Sequence, residues 1–513
     1  MKRVEKSMRN LLYGIVGQGV SSLLSFAMRY ALVHTLGIEA VSLNGLFTEV
    51  IAVLSLAELG VGNAIVYNLY APLRENDEKK LAELMNLFKT AYRWIAFAMF
   101  LIGMLLLPYV HLFVSKMEID LNYLRLIYFL FLVQTASSYL FSYKTALLNA
   151  DQRVYIISRT NMFVRITFTV LSILFLVVTR NYIVYLCLQI AMTVSINLFI
   201  SVQADRRYPF LKRKERLSKS ERRQVLSNIK YLFISALSGK ITNSTDNILI
   251  STMVGTLRVG AYSCYTMLIN AMTGLLIQLH HATTGGVGNL MAEGDYIYTE
   301  KVLRRMTFIT YCPTVLAAVG IYTVSSPFIR LLYGREYLLP MPIVFICVLN
   351  FLIYIIKNPL WAMVGVSGLF AQNKNISLLG DGLNLLISIV LGKRWGIFGI
   401  LLGTSCTLIV QTMLKERLLF HQYLHLEDKT YVRLVIKGIS SCVLCMLASQ
   451  GVCSLLPVSN LYLQIVFYGI CSEGITFVVQ LLIFHSAPEF KYAMKVVKSF
   501  LHIDEKRGHE NAS

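Results

Sequence analysis

The chain has 513 residues, of which 56% are hydrophobic and only 15% charged, and its mean hydropathy is +0.60. No polar stretch of about 100 residues is present, which leaves no room for a separate soluble domain and excludes an attached ATPase; no G-x-x-x-x-G-K-[ST] phosphate loop occurs either. The formal charge of +20 is spread over alternate loops, as membrane topology demands, and gives no reason to expect a nucleic-acid partner.

The first apolar run follows Lys2, Arg3, Lys6 and Arg9 and is much longer than the core of a secretion signal, so it is expected to stay as the first span. Roughly 17–25 apolar residues suffice for a helix to cross a bilayer core of about 30 Å. On that measure helices are predicted near 10–36, 41–70, 91–115, 121–147, 155–179, 181–203, 229–254, 259–290, 306–332, 342–366, 375–393, 397–420, 432–455 and 461–485. The expected class is therefore an all-α polytopic membrane protein of about fourteen spans. With the amino terminus inside, cytoplasmic loops hold roughly thirty-six Lys and Arg against about eight outside. The basic loop at 204–230 dominates that bias, and an even span count puts the carboxy terminus inside as well. Between the second and third spans, Leu81, Leu84, Met85, Phe88 and Tyr92 follow the three-four spacing of one helix face, which predicts an amphipathic helix in the inner headgroup region.

Two sequence words repeat. "GVGN" occurs at Gly60–Asn63 and again at Gly286–Asn289, and "LLNADQRVYIIS" at the start of helix 5 is echoed by "GLFAQNKNISLL" at the start of helix 11. Both offsets cover about six helices, so the copies share an orientation, as in transporters built from parallel repeats. The expected organisation is an amino-terminal lobe over 1–203, a basic linker over 204–228 and a carboxy-terminal lobe over 229–420. Helices 13 and 14 over 421–490 and a tail over 491–513 complete it. Two six-helix lobes would surround a central cavity.

Eight ionisable residues fall inside predicted spans: Arg29, Glu49, Glu58, Arg165, Lys240, Asp246, Lys357 and Asp381. A central charge costs about 2.5–3.5 kcal/mol on insertion scales, so these groups pair or line a wet cavity. Arg29 and Glu49 match in depth near the outer surface. Glu58, Arg165, Lys240 and Lys357 lie some ten to twelve residues above the cytoplasmic ends of their helices, about 15–18 Å up. Three cations against one acid leave a positive excess at that level, which suits a phosphorylated cargo. The candidate binding residues are thus Arg29, Arg165, Lys240 and Lys357. Glu49, Glu58, Asp246 and Asp381 are candidate charge partners, or carriers of a coupling H⁺ or Na⁺; no other cofactor is expected. Pro359 predicts a kink beside Lys357. His280 and His281, and the Cys442/Cys445 pair inside helix 13, read as packing residues.

The stretch "NGLFTEVIAVLSLAELGVGNAIVYNLYAPLRENDEKKLAELMNLFKTAYR" resembles the second span and following loop of bacterial Wzx-like polysaccharide flippases. These belong to the multidrug/oligosaccharidyl-lipid/polysaccharide (MOP) exporter superfamily. "NSTDNILISTMVG", "GVGNLMAEGD" and "GLFAQNKNISLLGDGLNLLISIVLGKRWGIFGILLGT" are similar to the same family, and the resemblance covers about residues 8–420. It implies two lobes around a cavity and an undecaprenyl-pyrophosphate-linked oligosaccharide turned from the inner to the outer leaflet of the cytoplasmic membrane. It also implies a pyrophosphate-binding role for Arg29, Arg165, Lys240 and Lys357, and a transport rather than enzymatic function. A polysaccharide polymerase and glycosyltransferases of the same pathway are the implied protein partners. Two alternatives stay open: an ion-coupled drug exporter of the same superfamily, whose often cationic cargo favours an acidic cavity, and a membrane polymerase or glycosyltransferase.

Overall fold

The computed structural model describes residues 3–54, 68–70, 72–151, 153–213, 215, 217–218, 221–222, 245–284, 287–292, 294–456 and 458–495. Every regular element among them is helical. The main helices are α1 (Arg3–Leu54), α2 (Glu78–Leu106), α3 (Leu121–Ala150), α4 (Val154–Thr179), α5 (Tyr182–Arg207), α6 (Thr256–Thr284), α7 (Val287–Ala292), α8 (Tyr296–Tyr333), α9 (Met341–Ile356), α10 (Asn358–Val366), α11 (Phe370–Arg417), α12 (Lys429–Leu455) and α13 (Leu461–Phe484).

Nine helical stretches among the described residues are long and apolar enough to cross a membrane, and α3, bent by 45° between Leu140 and Ser142, makes a tenth. Two of the nine are double. α1 turns at Gly37 (φ 76°) and α11 at Gly396 (φ 57°, ψ −135°), so α11 holds two of the predicted spans and α1 holds the first and the beginning of the second, residues 55–67 lying outside the described ones. Only glycine takes such a φ without strain, which lets the chain turn at Gly396 directly after the charged pair Lys393–Arg394, with no longer loop. Ser388 Oγ on the first arm donates to the carbonyl of Ile400 on the second at 2.9 Å, tying the arms just beyond the turn. The layout is consistent with fourteen crossings.

Two compact units divide the chain. The first holds residues 1–267 and 381–403, the second 268–380 and 404–513. In the first, α1 packs on α4, α3 on α2 and α5, and α4 on α5. α1 also crosses the start of α6 through small residues. A Cβ on Gly45 would sit 2.3 Å from Ser263 Oγ, and one on Gly260 would sit 2.4 Å from Ser42 Oγ. Small side chains let apolar helices approach closely enough for dispersion to hold them where water gives no hydrophobic drive. The amphipathic stretch ahead of the third span is not a separate surface helix. It forms the first turns of α2, capped by Asp77, whose side chain accepts from the Lys80 amide. Leu81, Leu84, Met85, Phe88 and Tyr92 are buried against the protein, with the short 3₁₀ turn Pro209–Lys212 packed on the same helix. The periodicity was legible, but protein rather than lipid headgroups covers the apolar face.

In the second unit α8 packs on α9, α12 and α13, and α12 packs on α13. A separate apolar cluster joins Met291, Leu303, Leu360, Met363, Phe420 and Tyr431. Cys442 and Cys445 are fully buried in α12 as free thiols, as packing residues should be.

Candidate functional site

The predicted site residues fall into both compact units. In the second unit, the helix expected over 342–366 breaks at Lys357. Pro359 cannot donate a backbone hydrogen bond, so α9 ends and α10 begins there, with the Lys357 carbonyl still accepting from the Trp361 amide at 3.0 Å. The break leaves Lys357 6% exposed, with its ammonium 3.4 Å from the centroid of the Trp361 ring and 4.7 Å from that of Tyr354. A second ammonium, that of Lys415 from the second arm of α11, lies 3.4 Å from the same Trp361 ring, and Lys415 is only 3% exposed. One indole thus serves two buried cations, and its own Nε1–H is buried without a hydrogen-bond partner among the described residues. The negative face of the indole is the best aromatic surface for a cation, and desolvation strengthens the attraction.

In the first unit Arg29 is half-buried on α1. Its guanidinium is near enough to the Tyr182 and Tyr185 phenols of α5 and the Cys264 thiol of α6 to act on them electrostatically. The two phenol rings stack with centroids 5.8 Å apart. Arg29 Nη1 is buried with no hydrogen-bond partner among the described residues. Arg165 is exposed on α4 and donates to Ser21 Oγ of α1 at 3.3 Å. Glu49 and Asp246 are half-buried and each has an interaction partner; Asp381 is buried, 6% exposed, and is partnered too. Lys240 and Glu58 lie outside the described residues. The structure therefore gathers Arg29 with a tyrosine pair and Lys357 with a tryptophan. His280 is buried in α6, in keeping with a packing role.

Sequence reasoning missed three intramembrane charges. Lys415 falls inside the predicted span 397–420 without having been singled out, and the Trp361 contact shows it to be buried. Lys144 on α3 donates to Asp205 Oδ2 at 2.7 Å and to Ser201 Oγ at 2.6 Å on α5, a clasp that no spacing rule could pair across 61 residues. Glu473 sits midway along α13, in an apolar run where a single carboxylate does not disturb the hydropathy signal.

Among solved structures the chain is similar to the lipid II flippase MurJ in an inward closed conformation. That match has 14% identity and a TM-score of 0.65, and covers 92% of this chain and 99% of that one. An inward-facing multidrug resistance MATE family transporter of the MOP superfamily is similar at 16% identity and a TM-score of 0.57, over 77% of this chain and 93% of that one. A MOP superfamily transporter from Pyrococcus furiosus, described as having a binding pocket of reverse polarity, is similar at 14% identity and a TM-score of 0.51 over 80% and 94%. At these identities the likeness shows the fold: that of the MOP transporters. No curated protein matches in sequence. The family model described as polysaccharide biosynthesis protein matches residues 7–283, more than half of the chain and the whole stretch that carries Arg29, Glu49, Arg165 and Asp246. A helical membrane protein with the MOP-transporter fold and cations embedded in its spans, the chain belongs to the polysaccharide biosynthesis protein family.

Proposed function

We propose that the protein is a flippase that carries undecaprenyl-pyrophosphate-linked oligosaccharide repeat units across the bacterial cytoplasmic membrane by alternating access, for surface polysaccharide biosynthesis. The observation that carries this reading is the set of cations held within the spans beside buried donors that are still open. Arg29 keeps a buried Nη1, and Trp361, flanked by Lys357 and Lys415, keeps a buried Nε1. Buried donors left unmade cost about 1–3 kcal/mol each, a cost that a ligand rich in acceptor oxygens removes. Pyrophosphate is such a ligand: Arg meets it with a fork of donors, Lys with a point charge. Arg165 and Lys240 join the same role by their depth in the sequence. Family membership supports a polysaccharide precursor, and the fold shared with a lipid II flippase supports a lipid-linked one.

In this reading the amino terminus, the 204–230 loop and the carboxy terminus face the cytoplasm, where the glycosyltransferases that build the cargo work. A polymerase receives it outside. Glu49, Glu58, Asp246 and Asp381 balance the cations or bind a coupling ion. An exporter of cationic drugs is the weaker reading, because embedded cations repel such a cargo.

The test is leaflet exposure of a labelled lipid-linked glycan in proteoliposomes. Lys357→Ala should bind cargo ten- to a hundredfold more weakly, the equivalent of about 1.5–3 kcal/mol for a lost charge-assisted contact. Lys357→Arg should keep partial function, because the charge survives while the geometry changes. Normal flipping by Lys357→Ala, Arg29→Ala and Lys240→Ala alike would make these charges structural and remove the mechanism.

A further inference from the structure

The second unit contains a carboxyl group that the cargo-binding reading does not use. Glu473 lies near the middle of α13, twelve residues after Leu461 and eleven before Phe484. At 1.5 Å per residue each end of the helix is about 17 Å away, so the carboxyl is near mid-membrane. α13 packs on α8 and α12. On α8 a glycine makes room for it: a Cβ on Gly320 would stand 2.9 Å from Glu473 Oε1.

The same helices carry a seam of polar but uncharged side chains. Thr323 Oγ1 of α8 bonds Ser472 Oγ of α13 at 3.1 Å and also donates to the Gly320 carbonyl at 3.2 Å. The Cys445 thiol of α12 is close enough to feel the Glu473 charge and lies 3.5 Å from Gln480 Nε2. Gln480 Oε1 accepts from the Tyr311 hydroxyl at 2.8 Å, and that hydroxyl lies 2.6 Å from Ser441 Oγ. The titratable groups facing this seam are thus Cys442 and Cys445 from α12 and Tyr311 from α8, with Cys471 on α13 itself. Among the described residues no fixed cation is near. α8 carries no Lys, Arg or His between Arg305 and Arg330, α12 none after Lys437, and α13 none at all. Among the described residues Glu473 makes no ion pair, in contrast to Asp205, which has Lys144.

A mid-membrane carboxylate without a cation is expensive, and the same acid with a proton is far less so. Structural packing alone would be met by Gln or Ser at that position. A titratable acid adds only the ability to take and give a proton, and such acids within spans mark proton paths in transporters. We propose that Glu473 is a proton-binding carboxyl, and that its protonation and deprotonation in the α8–α12–α13 bundle couple the transport cycle to a proton gradient. The step is a plain equilibrium, carboxylate plus proton to carboxylic acid.

The coupling half of the proposal rests on the transport reading; the proton-binding half does not. The full-length protein in vesicles is treated with dicyclohexylcarbodiimide, which modifies protonated carboxyls in apolar surroundings, and the modified residue is mapped by mass spectrometry over a pH series without cargo. Labelling at Glu473 should be strong at low pH and fall as pH rises. In parallel, flipping of a labelled lipid-linked glycan is followed with and without an imposed pH gradient, with a pH-sensitive dye recording proton movement. Glu473→Gln should lose gradient stimulation and its dye signal, and Glu473→Asp should restore both in part. Labelling of Glu473 that is absent or independent of pH overturns the proposal, as does a Glu473→Gln protein that responds to the gradient like the wild type. Should the wild-type protein flip no glycan, the cargo reading fails, and the labelling series still decides whether Glu473 binds a proton.

Discussion

Trp361→Leu is the sharpest test of the arrangement around Lys357. The indole has two ammonium groups 3.4 Å from its ring centroid, and both lysines are almost fully buried. A desolvated cation over an indole is worth about 2 kcal/mol, so replacing the ring by an apolar side chain removes about 4 kcal/mol of attraction, less what the rest of the site recovers by relaxing. Trp361→Leu should therefore destabilise the protein by about 3–4 kcal/mol, and Trp361→Phe, which keeps a weaker aromatic face, by about half of that. Both lysines have further partners. Single lysine substitutions mix those with the aromatic contact, so the contact is isolated by double-mutant cycles with Lys357→Met and Lys415→Met. Equilibrium unfolding in mixed detergent micelles supplies the four stabilities of each cycle. Each pair should show a coupling of about 1–2 kcal/mol. Couplings within about 0.5 kcal/mol of zero for both pairs would mean that the ammoniums do not engage the ring, and the site built on them would lose its centre.

Removing the carboxylate in Asp205→Ala should destabilise the protein by about 2–4 kcal/mol in the same unfolding assay, because it leaves the buried ammonium of Lys144 with no opposite charge, only the Ser201 hydroxyl and the Tyr143 ring. Lys144→Met combined with Asp205→Leu should recover most of the loss, and an unrepaired double variant would contradict a simple pair. Gly260→Leu should lower the yield of folded protein on size exclusion, since even its Cβ would stand 2.4 Å from Ser42 Oγ and 3.2 Å from the Ile38 carbonyl oxygen; wild-type yield would disprove the close crossing of α1 and α6. Lys80 and Ser218 hold the Glu221 carboxyl down to about 2 by hydrogen bonds, with Lys80 the larger cause. The folded value lies below the unfolded one, so this tie between the loop and α2 is fully present above about pH 4.5 and lost as pH falls towards 2. Proteolysis of the 204–230 loop should accordingly rise only in that acid window, and a rise already between pH 7 and 5 would refute the assignment. A cysteine placed at Ser218 should react with an impermeant reagent only after the cells are opened; labelling of intact cells would invert the topology.

Much was legible in the chain itself, and for one reason: the bilayer is a solvent that reads hydropathy along the sequence. An apolar run of span length must cross or be buried, so the helical class, the places of most spans among the described residues and the break at Pro359 followed from local composition. So did the amphipathic face of Leu81, Leu84, Met85, Phe88 and Tyr92, although not what covers it. The family was legible too, because its motifs are contiguous. Side-chain partnership was not. Lys144 meets Asp205 across 61 residues, and Trp361 meets Lys415 across 54, distances over which the sequence carries no rule of pairing. Depth alone grouped Arg165 with Lys357. The fold put one on an exposed face against Ser21 and the other, almost wholly buried, against an indole, because the azimuth of each residue around its helix depends on what that helix packs against. Glu473 escaped notice for the complementary reason. One acid in twenty-four residues leaves α13 fully apolar on average, and only the approach of α8 at Gly320 and of α12 at Cys445 gives that acid a setting in which a proton matters.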